Sequence, residues 1–290
     1  MSLRLYDGIR ELAPHYDGFI LDLWGVVHDG TAPFPGVLDC MGRLIGAGKR
    51  LVLLSNAPRR ADDVVRRIAA LGVPRDRYHG VMSSGEEAWQ YLHDRTDPFY
   101  AALGRRCLHI CSDRDLEIRD GLGLEFVEAP GEADFILNTG PAEWDDTLET
   151  YTEVLHAAQV RGLPMMCANP DLIVVHAGRP ALCAGALAEE YERIGGRVRW
   201  HGKPYPSVYE SCLGLLGITA RDRILAIGDS LRTDIAGADK AGIASLLIAG
   251  SGIHAVDFAG PGNTLDLDHI AAAIAASGTH PIGAAAAFVW

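Results

Sequence analysis

Short apolar runs alternate along the chain with longer stretches of helical periodicity, the pattern of an α/β fold built on a mostly parallel sheet. GFILDL at Gly18–Leu23, RLVLL at Arg50–Leu54, RILAI at Arg223–Ile227 and ASLLI at Ala244–Ile248 predict buried strands. Amphipathic spacing predicts a helix from Arg59 to Leu71, closed by Gly72 as a left-handed cap. Ser84-Gly85-Glu86-Glu87 has capping-box spacing and predicts a second helix start, with Glu86 and Glu87, like Asp62 and Asp63, as first-turn charges. The middle third forms a series of its own. CLHIC (Cys107–Cys111) and FILN (Phe135–Asn138) predict strands, followed by a helix from about Asp146 to Val160, a strand near Met165–Ala168 and a helix beginning near Gly185. The expected organisation is a core made of residues 1–82 and 188–290, split by an inserted α/β domain at 83–187. The alanines at 271–276 predict a late helix, and those at 284–287 a packed or mobile tail. No repeat or low-complexity tract interrupts this pattern.

A length of 290 residues suits two modest domains or one large one, at roughly 100–200 residues per domain. Lys and Arg number 26 against 38 Asp and Glu, a net charge of −12, which argues against a nucleic-acid partner or an anionic membrane surface. An acidic chain that binds an anion must use local devices: a metal ion, a helix N-terminus, a single lysine. The first residues contain no apolar leader run, and no segment approaches the length of a spanning helix, so a cytoplasmic protein is expected. Six scattered cysteines read as reduced thiols. Cys107, His109 and Cys111 would share one strand face, but a fourth ligand at metal-site spacing is missing, which favours a buried strand over a metal site.

Three predicted strands end on polar residues suited to handling a phosphate: Asp22, Ser55-Asn56, and Gly228-Asp229-Ser230. Ligands of open α/β sheets bind outside the carboxyl ends of the strands. Each of these ends alone reads as a helix N-cap; together they mark one crevice. Trp200 and His201 read as strand packing. Arg59 and Arg60 lie near a helix start, where an anion could sit on the N-terminus.

In their order and spacing, Asp22-Leu23-Trp24-Gly25-Val26-Val27-His28-Asp29-Gly30, Leu53-Leu54-Ser55-Asn56-Ala57, Gly202-Lys203-Pro204 and Gly228-Asp229-Ser230-Leu231-Arg232-Thr233-Asp234 resemble the motifs of the haloacid dehalogenase-like hydrolase superfamily. The cap-sized gap after the second motif, and Asn169-Pro170-Asp171 within it, resemble class IIA, the NagD-like group of sugar-phosphate and 4-nitrophenyl-type phosphatases. The resemblance implies a Rossmann-like parallel-sheet core with an inserted C2-type α/β cap. It also implies a Mg²⁺-dependent phosphohydrolase acting on a small phosphorylated metabolite held between the two, and a homodimer is compatible with it.

By the same resemblance Asp22 would be the nucleophile, forming an aspartyl-phosphate. Asp22, the backbone carbonyl of Trp24, Asp229 and Asp234 would hold the metal. Ser55 and Asn56 would bind phosphate oxygens, and Lys203 would steady Asp22 and the transferring group. Arg59 and the cap residues Asn169 and Asp171 are candidates for contacting the substrate, with His176 and Arg179 for reading its leaving group.

The sequence departs from the family pattern at Trp24, where these phosphatases usually carry a second Asp that protonates the leaving oxygen and later activates water. Such proton transfer typically contributes ~10²–10⁴-fold. Three readings follow: His28 or Asp29 takes over, the leaving group needs no acid, or the protein binds a phosphorylated ligand in a regulatory role with little turnover. Dehalogenation on a lone Asp would leave Asp229 and Asp234 without a role.

Overall fold

The computed structural model describes residues 3–176 and 179–290; the side chains of 175, 176 and 263 are outside the description, so the expectation for the His176 side chain lies outside the described residues. Its strands are β1 (Leu5–Tyr6), β2 (Gly18–Asp22), β3 (Arg50–Ser55), β4 (Gly80–Ser83), β5 (Arg106–Ile110), β6 (Glu125–Val127), β7 (Phe135–Asn138), β8 (Pro164–Cys167), β9 (Ile173–His176), β10 (Arg179–Leu182), β11 (Arg197–Trp200), β12 (Ile224–Gly228), β13 (Ala244–Ile248) and β14 (Gly283–Ala285). They divide between two units, one of residues 1–55, 62–82 and 203–290, the other of 56–61 and 83–202.

The first unit carries a seven-stranded sheet in the order β1-β14-β13-β12-β2-β3-β4. β2 pairs in parallel with both β3 and β12. Every residue of β2 and of β12 is buried, which is why both read as unbroken apolar runs. On one face Ile20, Val52, Leu54, Ile224 and Ala226 pack with Val208, Tyr209 and Cys212 from the helix Pro206–Leu216. From β2 the chain builds outward through β3 and β4, and on its return it builds the other way through β12, β13 and β14. The sheet therefore has its topological switch point between β2 and β12, where crevices open beyond the strand ends. The alanines at 284 and 285 are buried in β14, paired to β13 and β1, so the expected tail is a strand.

The second unit holds a five-stranded parallel sheet, β11-β8-β7-β5-β6, and a separate antiparallel hairpin of β9 and β10. The strand period sorts its core. Leu108, Ile110, Ile136, Met165 and Cys167 pack with Leu155, Leu187 and Tyr191 on one face. Cys107, Phe135, Leu137, Met166 and Ala168 pack with Ala88, Leu92 and Tyr100 on the other. This unit runs on to Gly202, past the expected boundary at 187. The helix Ala184–Arg193 buries Leu187 and Tyr191 in its core, and β11 adds a parallel edge strand beside β8. The helix Ser84–Asp94 is capped by Ser83, whose side chain accepts from Glu86 N, one residue before the expected capping serine. Among the described residues no helix is long and apolar enough to cross a membrane.

The Cys107/His109/Cys111 face holds an arginine. Arg119 Nε donates to His109 Nδ1 at 2.8 Å, and its Nη2 lies 3.4 Å from Cys111 Sγ. Burial, helped by Arg119, pushes His109 down to about 3. An unfolded histidine titrates near ~6.5, so the unfolded chain accepts a proton that this site refuses. The stabilisation is complete above that value and is lost as pH falls toward the folded pKa. Stability should decline through this residue by up to about 1.4 kcal/mol per pH unit between roughly pH 6 and 4. Chemical denaturation across that range should give a flatter profile for His109→Gln; an unchanged acid slope would refute the assignment.

Candidate active site

β2 and β12 end side by side, and the residues at their ends are acidic. Asp22 is the last residue of β2, and Asp229 follows Gly228 at the end of β12. Beyond Asp229 the chain makes a single π turn, Leu231–Ile235, in which Asp234 N and Ile235 N both donate to Ser230 O (3.0 and 3.1 Å). Turns of this kind recur at functional sites because the extra residue rotates side chains off the regular helical register. Here Asp234 accepts from Lys203 Nζ at 2.9 Å, and Lys203 also donates to Asp22. A Cβ on Gly228 would collide with the Asp234 side chain, so glycine permits the close return of the turn.

Carboxylate oxygens of Asp22, Asp229 and Asp234 lie within 4.8 Å of one another, and all three residues and Lys203 are buried. Burial pushes Asp22 well above the usual carboxylate range, against the pull of Lys203 and reinforced by Asp234 and Asp229. Asp229 is raised to about 6 by burial and by Asp234. Burial works against the Lys203 ammonium, but Asp22 and Asp234 outweigh it and hold the lysine protonated. Three carboxylates sharing one lysine leave an excess of buried negative charge, a poor arrangement without a further cation. The donors are hard oxygens, the set that Mg²⁺ and Ca²⁺ prefer.

The loop that holds Asp229 was missed by sequence reasoning. Ile253 N donates to Asp229 Oδ2 at 2.6 Å, and Ser251 Oγ donates to Gly25 O at 2.5 Å. Gly25 (φ 93°) and Gly252 (φ 76°) are left-handed, and a Cβ on either would strike the Asp229 carboxylate. The available signal was Gly250-Ser251-Gly252, a glycine-rich loop directly after β13.

After Asp22 the chain folds back sharply. Val27 N and His28 N both donate to Leu23 O, and Gly25 N donates to His28 O at 3.0 Å. Trp24 is 45% exposed. His28 is buried and accepts at Nδ1 from Gly30 N (3.0 Å), and burial lowers its pKa. Asp29 accepts from Thr31 N, Thr31 Oγ1 and Ala32 N. The Thr31 hydroxyl and the Ala32 and Thr31 amides hold it down at about 2, so it carries no proton near neutral pH. Ser55 ends β3, half-buried.

Other expected residues fall in the second unit. Asn56 Nδ2 donates to Asp171 Oδ1 at 2.9 Å, and Asp171 N donates to Asn169 Oδ1 at 3.0 Å, so Asn56, Asn169 and Asp171 form one hydrogen-bonded chain. Arg59 forms an ion pair with Asp115 at 3.0 Å. Arg60 pairs with Glu86 and lies over the Trp89 ring. Arg179 begins β10 and is exposed. Glu87, expected as a first-turn charge, does lie in the first turn of its helix, completely buried, and accepts from Gly202 N at 2.8 Å. His201 is buried with Nε2 2.7 Å from Tyr100 Oη, and Trp200 ends β11.

Residues 19–125 match the profile of a family described as haloacid dehalogenase-like hydrolase, and residues 200–274 match a related HAD-hydrolase-like profile. A crystal structure of a haloacid dehalogenase-like family hydrolase from Brucella suis 1330 is 34% identical, with a TM-score of 0.82 over 98% of this chain and 100% of that one. Ribonucleotide monophosphatase NagD of Escherichia coli K12 is 25% identical over 82% of this chain and 89% of its own. A glycerol phosphate phosphatase from Mycobacterium tuberculosis, solved in complex with calcium, has the same fold: 23% identity, TM-score 0.66, covering 86% of this chain and 71% of that one.

Proposed function

This chain belongs to the haloacid dehalogenase-like hydrolase family, and from that premise we propose that it hydrolyses a small phosphate monoester through an aspartyl-phosphate formed on Asp22. The reading rests above all on one observation, the buried cluster of Asp22, Asp229, Asp234 and Lys203 at the switch point of the core sheet. Asp22, Asp229, Asp234 and the Trp24 carbonyl would hold a divalent cation, Mg²⁺ in our reading. When bound, the cation neutralises charge on the phosphate and on the attacking carboxylate.

The protein's own groups do the rest. Asp22 supplies the attacking oxygen, and Lys203 orients it while presenting positive charge to the transferring group. Ser55 and the Asn56 amide donate to phosphate oxygens. Asn169, Asp171 and Arg59 are the candidates for contacting the remainder of the substrate, a sugar phosphate or similar metabolite.

A panel of small phosphate esters, assayed with Mg²⁺ and again with EDTA, tests this reading. The expected result is phosphate release that needs the cation and stops on chelation. Cation-dependent binding of phosphorylated ligands, with no release from any of them, would overturn it in favour of a binding or regulatory protein.

A further inference from the structure

The titratable side chains of the turn after Asp22, and the lysine beside Asp22, all hold hydrogen bonds. Lys203 donates to Asp22 and Asp234. His28 accepts at Nδ1 from Gly30 N, which requires the neutral ring. The Asp29 carboxylate takes three hydrogen bonds from Thr31 and Ala32 and shapes its own turn. Two residues beyond the nucleophile stands Trp24, exposed, with an indole N–H that donates a hydrogen bond but does not give up its proton in the working pH range. The two titratable side chains of the turn from Leu23 to Ala32, His28 and Asp29, thus both hold hydrogen bonds within that turn.

We propose that Trp24 restricts this chain to phosphates whose leaving group departs as a stable anion, acyl or aryl phosphates, and makes breakdown of the Asp22 phosphoenzyme the slow step. The proposal rests on the hydrolase reading and specifies its substrate class. In the first step an Asp22 oxygen bonds to phosphorus and the bond from phosphorus to the leaving oxygen breaks. The electron pair departs on a carboxylate or phenolate, which needs no proton. The alkoxide of a sugar or of glycerol is far more basic and needs one as it leaves. In the second step a water oxygen bonds to phosphorus, the bond to Asp22 breaks, and its electron pair returns to the carboxylate. The water's proton passes to a phosphate oxygen or to solvent, and with an indole rather than a carboxylate two residues beyond Asp22 that step is slow.

The test uses the full chain with Mg²⁺, against substituted phenyl phosphates of graded leaving-group acidity, acetyl phosphate and glycerol phosphate. The wild type should cleave nitrophenyl or acetyl phosphate roughly 10²–10⁴-fold faster than glycerol phosphate, with a burst approaching one equivalent of released leaving group. Acetyl phosphate alone being fast would assign an acyl substrate, and nitrophenyl phosphate alone an aryl one; either supports the proposal. Trp24→Asp should narrow the gap and shrink the burst, whereas Trp24→Ala, which removes the indole without supplying a carboxyl group, should keep the steep dependence. Equal wild-type rates on glycerol and nitrophenyl phosphates with no burst would overturn the proposal and leave the hydrolase reading standing. Inactivity of both wild type and Trp24→Asp on every phosphate would overturn both. Should Trp24→Asp fail to fold, the wild-type dependence and burst decide the matter alone.

Discussion

Asp22→Asn is expected to abolish turnover, lowering kcat by at least about 10⁴-fold, while leaving the protein folded. The amide keeps the shape of the carboxylate but lacks its attacking oxygen, and no other group in the cluster replaces a lost nucleophile. The effect on stability should run the other way. Asp22 is raised by burial and by the neighbouring Asp234 and Asp229, so the neutral amide relieves repulsion while Asp234 still pairs with Lys203. The variant should therefore melt at or above the wild-type temperature and fail to take up label from a phosphorylated substrate. Retained turnover in a folded Asp22→Asn protein would remove Asp22 from the mechanism.

Lys203→Met should have the larger effect on stability. It leaves Asp22 and Asp234 buried without their shared ammonium, and breaking a buried pair from one side typically costs about 3–5 kcal/mol. In a chain of this size that corresponds to a fall in melting temperature of roughly 10 °C. The pH dependence has a definite sign. Without the lysine, which pulls Asp22 down, the folded-state pKa of Asp22 rises further above the unfolded value of ~4, so the folded state binds the extra proton. Stability is then lost as pH rises through that interval, and the variant should be more stable near pH 5 than near pH 8. A divalent cation should recover part of the loss. Calorimetry at both pH values, with and without Mg²⁺, would show it; a variant as stable as wild type at pH 8 would mean that the buried charges are relieved in some other way.

The sequence revealed most where burial on both faces left an unbroken apolar run. Phe135–Asn138 and Ala244–Ile248 matched their predicted strands residue for residue. It revealed least at β11, where Arg197 and Arg199 alternate with Val198 and Trp200 on an edge strand paired only to β8. That polar alternation carries no mark of belonging to the second sheet, which is why the sequence alone places the boundary before β11. The site divides in the same way. Asp22, Asp229, Asp234 and Lys203, which the structure brings together, were legible because each sits at a strand end or in a short motif. The grip of Ile253 N on Asp229 was not, since a backbone amide has no residue type to read. The pairings of Arg59 with Asp115 and of Gly202 N with Glu87 join segments far apart in sequence, and spacing could not bring them together.

Because β2 pairs on one side with β3 and on the other with β12, the order of synthesis bears on how the cluster forms. Asp22 leaves the ribosome early, among the first strands, whereas Lys203, Asp229 and Asp234 follow only after the whole of residues 83–202 has been made. A nascent chain stopped before β12 has an open edge along β2 and an acid with neither its ammonium partner nor its companion carboxylates. The inserted unit, with a five-stranded sheet and apolar clusters on both of its faces, can condense during that interval, since domains generally fold as units during translation. The charged cluster can therefore form only once β12 and the turn that follows it have been made.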